Sequence, residues 1–248
     1  MNGILFVLKT GLRWNHLPTV LGFGSGATCW RRLNDWRKAG VWDRLHELLL
    51  DKLREAGQID FIRCRRFLVG TSRWGGRKTG PNPTDRSRPG SKHHILVDAK
   101  GVPISAILTG ANRNDVPQFA AARRRDSADP WRARRPLQRP KVIYADRGYD
   151  SDPYIVNDCA NAASNRWTQG AALNMAGLGK FRRVVERTHS WLHNSRRLRI
   201  RFDRRADIHE AFLKFGYALV CWNIFRHTKQ PFLTGLLRKS RSPRTSVQ

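Results

Sequence analysis

Tyr144-Ala145-Asp146-Arg147-Gly148-Tyr149-Asp150 and Val185-Glu186-Arg187-Thr188-His189-Ser190-Trp191-Leu192 each set a carboxylate in a strongly basic stretch. In the first, Val142 to Ala145 reads as a short strand that stops at Asp146. In the second, Phe181 to Leu198 reads as a helix, with Trp191 and Leu192 placed to pack on a sheet. A strand-end carboxylate faces the crevice where α/β sites form. Acids in a basic setting suit metal-dependent phosphoryl transfer, because Mg²⁺ ions held by carboxylates can activate a water or 3′-hydroxyl and stabilise the leaving oxygen. Such a site needs a further carboxylate on an earlier strand. The candidate there, Arg66 to Ser72, contains Val69-Gly70-Thr71-Ser72, and Arg65 to Trp74 holds no Asp or Glu.

Outward from these stretches, His94 to Asp98 and Val102 to Leu108 read as a hairpin across Ala99-Lys100-Gly101. Val116 to Arg125 reads as a helix, and so does Ile208 to Phe225, with Ile208, Phe212, Phe215, Leu219 and Trp222 on one stripe. Trp74 to Lys92 reads as a Gly/Pro/Arg loop, Asp126 to Pro140 as a Pro/Arg-rich excursion, and 151–180 shows no clear period. Strand, hairpin, helix, strand, helix is an α/β order.

Residues 1–57 read as helical. Ile4, Leu5, Leu8 and Leu12 share a face; Trp30, Leu33 and Trp36, then Val41, Leu45, Leu48, Leu49 and Leu53, follow the Gly22 to Gly26 break. Thr28 is the expected N-cap, and Gly40 and Gly57 mark ends. This piece reads equally as a helix-turn-helix or as a plain helical bundle. The expected division is a helical region at 1–57, a catalytic-type α/β domain at 58–228 and a basic disordered tail at 229–248.

The net charge of +28, from 47 Lys and Arg against 19 Asp and Glu, argues against an ordinary small-molecule enzyme and for a polyanionic partner. The four cysteines form no CxxC pair, which argues against a zinc ribbon, and nothing requires a disulfide. Met1 to Leu8 lacks a basic n-region, and Ala211 to Phe225 is too short to span a bilayer, so no signal peptide and no membrane partner are expected. The abrupt apolar start suggests a chain that begins inside a helix. An RNA-binding protein would call for aromatic stacking motifs, which the sequence does not display.

Blander readings stand beside the catalytic one. Asp146 could cap a turn, and Glu186 between arginines could be half of a surface ion pair. His189 and His193, at i,i+4, could bind zinc as a helical pair, and Lys92-His93-His94 could contact phosphate.

From about Asn2 to about Trp222 the chain resembles the bacterial insertion-sequence transposases of the IS5 group, within the DDE class. The resemblance is carried by Gly3-Ile4-Leu5, Thr10-Gly11, Trp42, Lys78-Thr79-Gly80-Pro81-Asn82-Pro83-Thr84-Asp85-Arg86 and Pro89-Gly90-Ser91-Lys92-His93-His94. It continues through Leu108-Thr109-Gly110-Ala111-Asn112-Arg113-Asn114-Asp115, the two opening stretches, Arg196 to Arg201, and Ile208 to Phe212. It implies an RNase H-like mixed sheet with flanking helices, preceded by a small helical region, and Mg²⁺-dependent DNA cleavage and strand transfer. It also implies that Asp146 is the second acid and Glu186 the third, both as catalytic groups and metal ligands. Lys92, His93, Arg113, Arg147, Arg182, Arg183, Arg187, Arg196 and Arg197 are the expected DNA contacts. The expected partners are element-end and target DNA and a second copy, as a homodimer on DNA, in the bacterial cytoplasm at the nucleoid.

Two blocks depart from the family pattern. The family's first Asp lies on the first core strand, and Gly70 stands nearest its place. Val156 to Ala176 lacks the family's Arg-rich pattern, and both blocks read as products of compensated frameshifts. Asp60, Asp85 and Asp98 are the available substitutes, with Asp98 the best placed. The expectation is therefore a transposase by descent that is catalytically impaired; the alternative is a DNA-binding remnant or regulator that does no chemistry.

Overall fold

A computed structural model describes residues 1–60, 63–72, 76–82, 88–113, 142–144 and 175–239. The chain opens with three helices, α1 (Asn2–Thr10), α2 (Gly26–Lys38) and α3 (Val41–Glu55). Helix α1 buries Ile4, Val7 and Leu8 and stops at Gly11, whose left-handed backbone (φ 73°) lets its N–H close on the Val7 carbonyl. The N-cap of α2 is Ser25, whose hydroxyl accepts from the Thr28 N–H, so Thr28 is the capped position and not the cap. Helix α3 buries Trp42, Leu49, Leu50 and Leu53 but leaves Leu48 exposed, narrowing the apolar face that the leucine run suggests.

Among the described residues the sheet has five strands: β1 (Arg63–Ser72), β2 (Gly80–Pro81), β3 (Pro89–Val97), β4 (Pro103–Gly110) and β5 (Val142–Tyr144). Strand β3 pairs antiparallel with β1, β2 and β4, and β5 lies parallel to β1 with Arg65 opposite Tyr144. The sheet is therefore mixed, with β1 between β3 and β5. The 89–92 part of the expected loop belongs to β3. Polar Ser91 and apolar Ile95 are buried alike along this strand, so an apolar count misses its start.

The last third holds α4 (Met175–His193), α5 (Arg196–Arg199) and α6 (Ala206–Lys239). The single helix expected over Phe181 to Leu198 is broken at Asn194-Ser195. The α6 backbone stays helical through Lys239, so the tail expected to be disordered begins as helix. Trp222 of the expected apolar stripe is exposed, whereas Ile208, Phe212 and Phe215 are buried. The expected helix over Val116 to Arg125 lies outside the described residues.

One hydrophobic core joins the N-terminal helices to the sheet: Ile4, Leu8, Leu33 and Trp42 pack with Ile95, Val97, Leu192, Leu198, Phe212 and Phe215. The Trp42 ring centroid lies 4.8 Å from that of Phe215. Helix α6 crosses α5 closely: a Cβ built on Gly216 would lie 2.6 Å from Leu198 Cδ1. Among the described residues no helix is long and apolar enough to cross a membrane.

Candidate functional site

Glu186 lies on α4, exposed to solvent, with Arg183 and Arg187 exposed beside it. Val185, Thr188 and Leu192, spaced at i, i+3 and i+7, form the buried stripe that fixes the rotation of the helix. Two polar ties lock it further. The Thr188 hydroxyl donates to the Gly101 carbonyl at 2.7 Å, and the Arg187 guanidinium donates to the Lys100 carbonyl at 2.6 Å. The direction of Glu186 is thus set by the turn between β3 and β4. Gly101 suits this role, since its φ of 90° favours glycine and a Cβ would lie 2.7 Å from the Thr188 hydroxyl.

Helix α4 packs against β1, and β1 is flanked by β5, which runs towards Asp146. Asp146, Arg147 and the side chain of Arg182 lie outside the described residues. Gly70 of β1 stands opposite Lys92 of β3, and β1 carries no Asp or Glu along its length. Among the described residues no group of three or more His, Cys, Asp or Glu could hold a metal ion. That finding also removes a completed zinc site around His189 and His193 from the described residues, although their ring centroids lie 3.6 Å apart.

Asp98, the best-placed substitute acid, has another task. Its buried carboxylate accepts from the main-chain N–H groups of Val102 at 2.7 Å, Lys100 at 2.8 Å and Asp60 at 3.0 Å. Burial pushes its pKa up, against the pull of those hydrogen bonds. It staples the hairpin turn and the approach to β1, and its lone pairs are spent on that. Asp85 lies outside the described residues.

The expected DNA contacts separate by burial. Arg113, Arg183, Arg187 and Arg196 are exposed, and Lys92 is half-buried with its ammonium donating to the Arg113 carbonyl at 3.4 Å. His93 and Arg197 are 2% and 4% exposed, which corrects their expected place on a DNA-facing surface. His93 Nε2 lies 2.9 Å from His209 Nε2, and burial holds its pKa down to about 3. Its neighbour His94 meets the Thr109 hydroxyl at 2.7 Å. Arg197 pairs with buried Asp203 at 3.0 Å, donates to the Leu12 carbonyl at 3.0 Å and lies against the Trp14, Phe202 and Phe212 rings.

Sequence reasoning also passes over Arg201, which is fully buried. Its guanidinium donates to the carbonyls of Arg77, Lys78, Asp203 and Arg204 and to the Ser91 hydroxyl. It therefore ties the Lys78 to Pro81 segment to β3 and to the start of α6. Lys78 adds an ion pair to Glu210. The available signal was the place of Arg201 at the end of a motif-like run, Arg196 to Arg201, whose basic character reads as surface.

The family described as "Putative transposase of IS4/5 family (DUF4096)" matches residues 1–46, and the "Transposase DDE domain" family matches residues 60–221. The "Putative transposase for insertion sequence element IS402" of Burkholderia cepacia is 56% identical over 172 residues, covering 67% of this chain and 79% of that protein. The "Insertion element IS402 uncharacterized 16.2 kDa protein" of the same organism is 75% identical over 64 residues, 26% of this chain and 44% of that protein. No solved structure matches the chain. The run of basic and acidic motifs, the mixed sheet with α4 against it and these matches lead to one assignment: the chain belongs to the IS4/5 family of insertion-element transposases with a DDE domain.

Proposed function

We propose that this transposase has an RNase H-like core at 58–228 behind a helical region at 1–57, binds element-end and target DNA, and is impaired in strand cleavage. The observation that carries the proposal is Glu186, exposed between cations on a helix packed against a strand that has no carboxylate. The mixed sheet with helices against it supports the RNase H-like reading. Asp146 and Glu186 are the surviving acids of the site. Lys92, Arg113, Arg147, Arg182, Arg183, Arg187 and Arg196 form the proposed DNA-contacting set, with His93 and Arg197 withdrawn into the core. The working form is a homodimer on DNA, in the bacterial cytoplasm at the nucleoid.

The family implies Mg²⁺, but the described residues do not compose a site for it: Glu186 belongs to no described group of three or more His, Cys, Asp or Glu that could hold a metal ion, and Asp98 is consumed by main-chain N–H groups. What this chain's own residues do is hold DNA and aim one carboxylate. The Thr188 and Arg187 ties to the hairpin turn fix the position of Glu186, and the exposed arginines offer charge-assisted hydrogen bonds to phosphate oxygens. The engagement of Asp98 favours the second reading, a DNA-binding remnant or regulator that occupies element ends or joins active copies without chemistry.

The test is a Mg²⁺-dependent cleavage assay on end-containing DNA, comparing the unaltered chain with Gly70→Asp. Removal of one member of a catalytic unit costs several orders of magnitude in rate, so the unaltered chain is expected to cut barely and Gly70→Asp to cut faster. Robust cutting by the unaltered chain overturns the proposed impairment. Family motifs recovered in another reading frame across codons 65–74 and 156–176 would establish the frameshift origin.

A further inference from the structure

A cavity of about 610 Å³ lies between α1, the β3–β4 turn, α4 and α6, with Leu192 at the end of the buried α4 stripe among its lining residues. Four cations from these four elements line it: Lys9, Lys100, Arg187 and Arg226. No Asp or Glu is among its described lining residues, and no described carboxylate pairs with Lys9 or Arg226. One wall is Trp191, with the Arg187 guanidinium 5.1 Å from its ring centroid and anchored by the bond to the Lys100 carbonyl. The exposed amide of Asn223 stands at the cavity.

We propose that this cavity binds one unpaired nucleotide of a DNA strand. The proposal rests on the DNA-binding reading given above. Its volume falls in the range of sites for single small ligands, too small for a duplex whose major groove alone is about 12 Å wide. Lys9 and Arg226 answer a phosphate, while the Lys100 ammonium already donates to the Gly57 carbonyl and to Gln58. The Arg187 guanidinium lying over the Trp191 indole offers a plane on which any base can stack, and the Asn223 amide can hydrogen-bond a base edge. This chemistry favours single-stranded over paired DNA, because a paired base keeps its faces and edges from the protein.

Fluorescence anisotropy with the full chain decides it. Three labelled probes are compared: a blunt duplex, the same duplex with a short thymidine overhang, and one whose overhang is abasic. Base stacking favours an unpaired strand whatever its sequence, so the thymidine overhang is expected to bind on the order of tenfold tighter than the blunt duplex. That advantage should shrink with the abasic overhang and in Arg226→Gln and Trp191→Leu. Arg226 is exposed, so its substitution tests the cavity without touching the core. Equal affinity for blunt and overhang probes overturns the proposal, as does an advantage that survives both substitutions. An abasic overhang that binds as well as thymidine overturns the nucleotide reading in favour of a phosphate site. Failure to bind any probe marks the failure of the DNA-binding reading itself.

Discussion

At Asp98 a buried carboxylate is balanced by main-chain N–H groups and not by a cation. Asp98→Ala leaves the Lys100 and Val102 N–H groups without their acceptor, and each such loss costs about 1–3 kcal/mol. A lowered denaturant midpoint for Asp98→Ala, with a smaller drop for Asp98→Asn, which keeps an acceptor oxygen, is the expected outcome. Equal midpoints for the wild type and Asp98→Ala would refute the staple. Thr188→Val keeps the shape of the side chain and removes the hydroxyl that reaches the Gly101 carbonyl. Its expected cost is about 1 kcal/mol, read from the same melts. Because that bond aims α4, the substitution should also weaken any residual cleavage in Gly70→Asp. Residues of this kind are hard to read from sequence. Asp98 presents itself as a spare acid and Arg197 as a basic surface group, and only the fold shows that their polar atoms are already spoken for.

Between elements, β3 and α6 meet through two imidazoles, His93 and His209, whose Nε2 atoms share a hydrogen bond. That contact requires at least one of the rings to lend a lone pair. Burial lowers the pKa of His93 to about 3 and of His193 to about 4, and lowers that of His189. The unfolded chain takes up protons near the ordinary value of 6.5 while the folded chain resists until much lower pH. Between about pH 6.5 and pH 5 the unfolded state therefore binds more protons, and stability falls as pH falls. Urea midpoints measured at pH 7 and pH 5 should show the drop; a flat profile would mean that these rings titrate alike in both states. The helices α2 and α3 were legible because their Trp and Leu spacing is unambiguous, and the hairpin because Lys100-Gly101 punctuates it. The start of β3 was not, since its buried face includes Ser91 and His93, satisfied by hydrogen bonds and invisible to a count of apolar residues. The break at Asn194-Ser195 was hidden too, because Leu192 and Leu198 are buried on both sides of it.

For the whole molecule, a charge of +28 on 248 residues sets the terms of association. If about six phosphates are engaged, the logarithm of the DNA affinity should fall with the logarithm of salt at a slope of about −5, close to a thousandfold between 50 and 200 mM. Titrations of a blunt duplex at several salt concentrations would show it, and affinity insensitive to salt would exclude the phosphate-contact picture. Substituting Arg196 and Arg113 by Gln should flatten the slope by about one unit each. Not all of the charge works outward, however. The Arg201 guanidinium closes on five acceptors from three separate segments, and Lys, with three donors on a single ammonium, cannot replace that fork. A gene relieved of the need to cut DNA can drift at the catalytic acids without losing a folded product. It cannot drift at codon 201 in the same way. Across related copies of such an element, arginine at this one buried position is thus a tracer of selection for an intact protein, separable from selection for its chemistry.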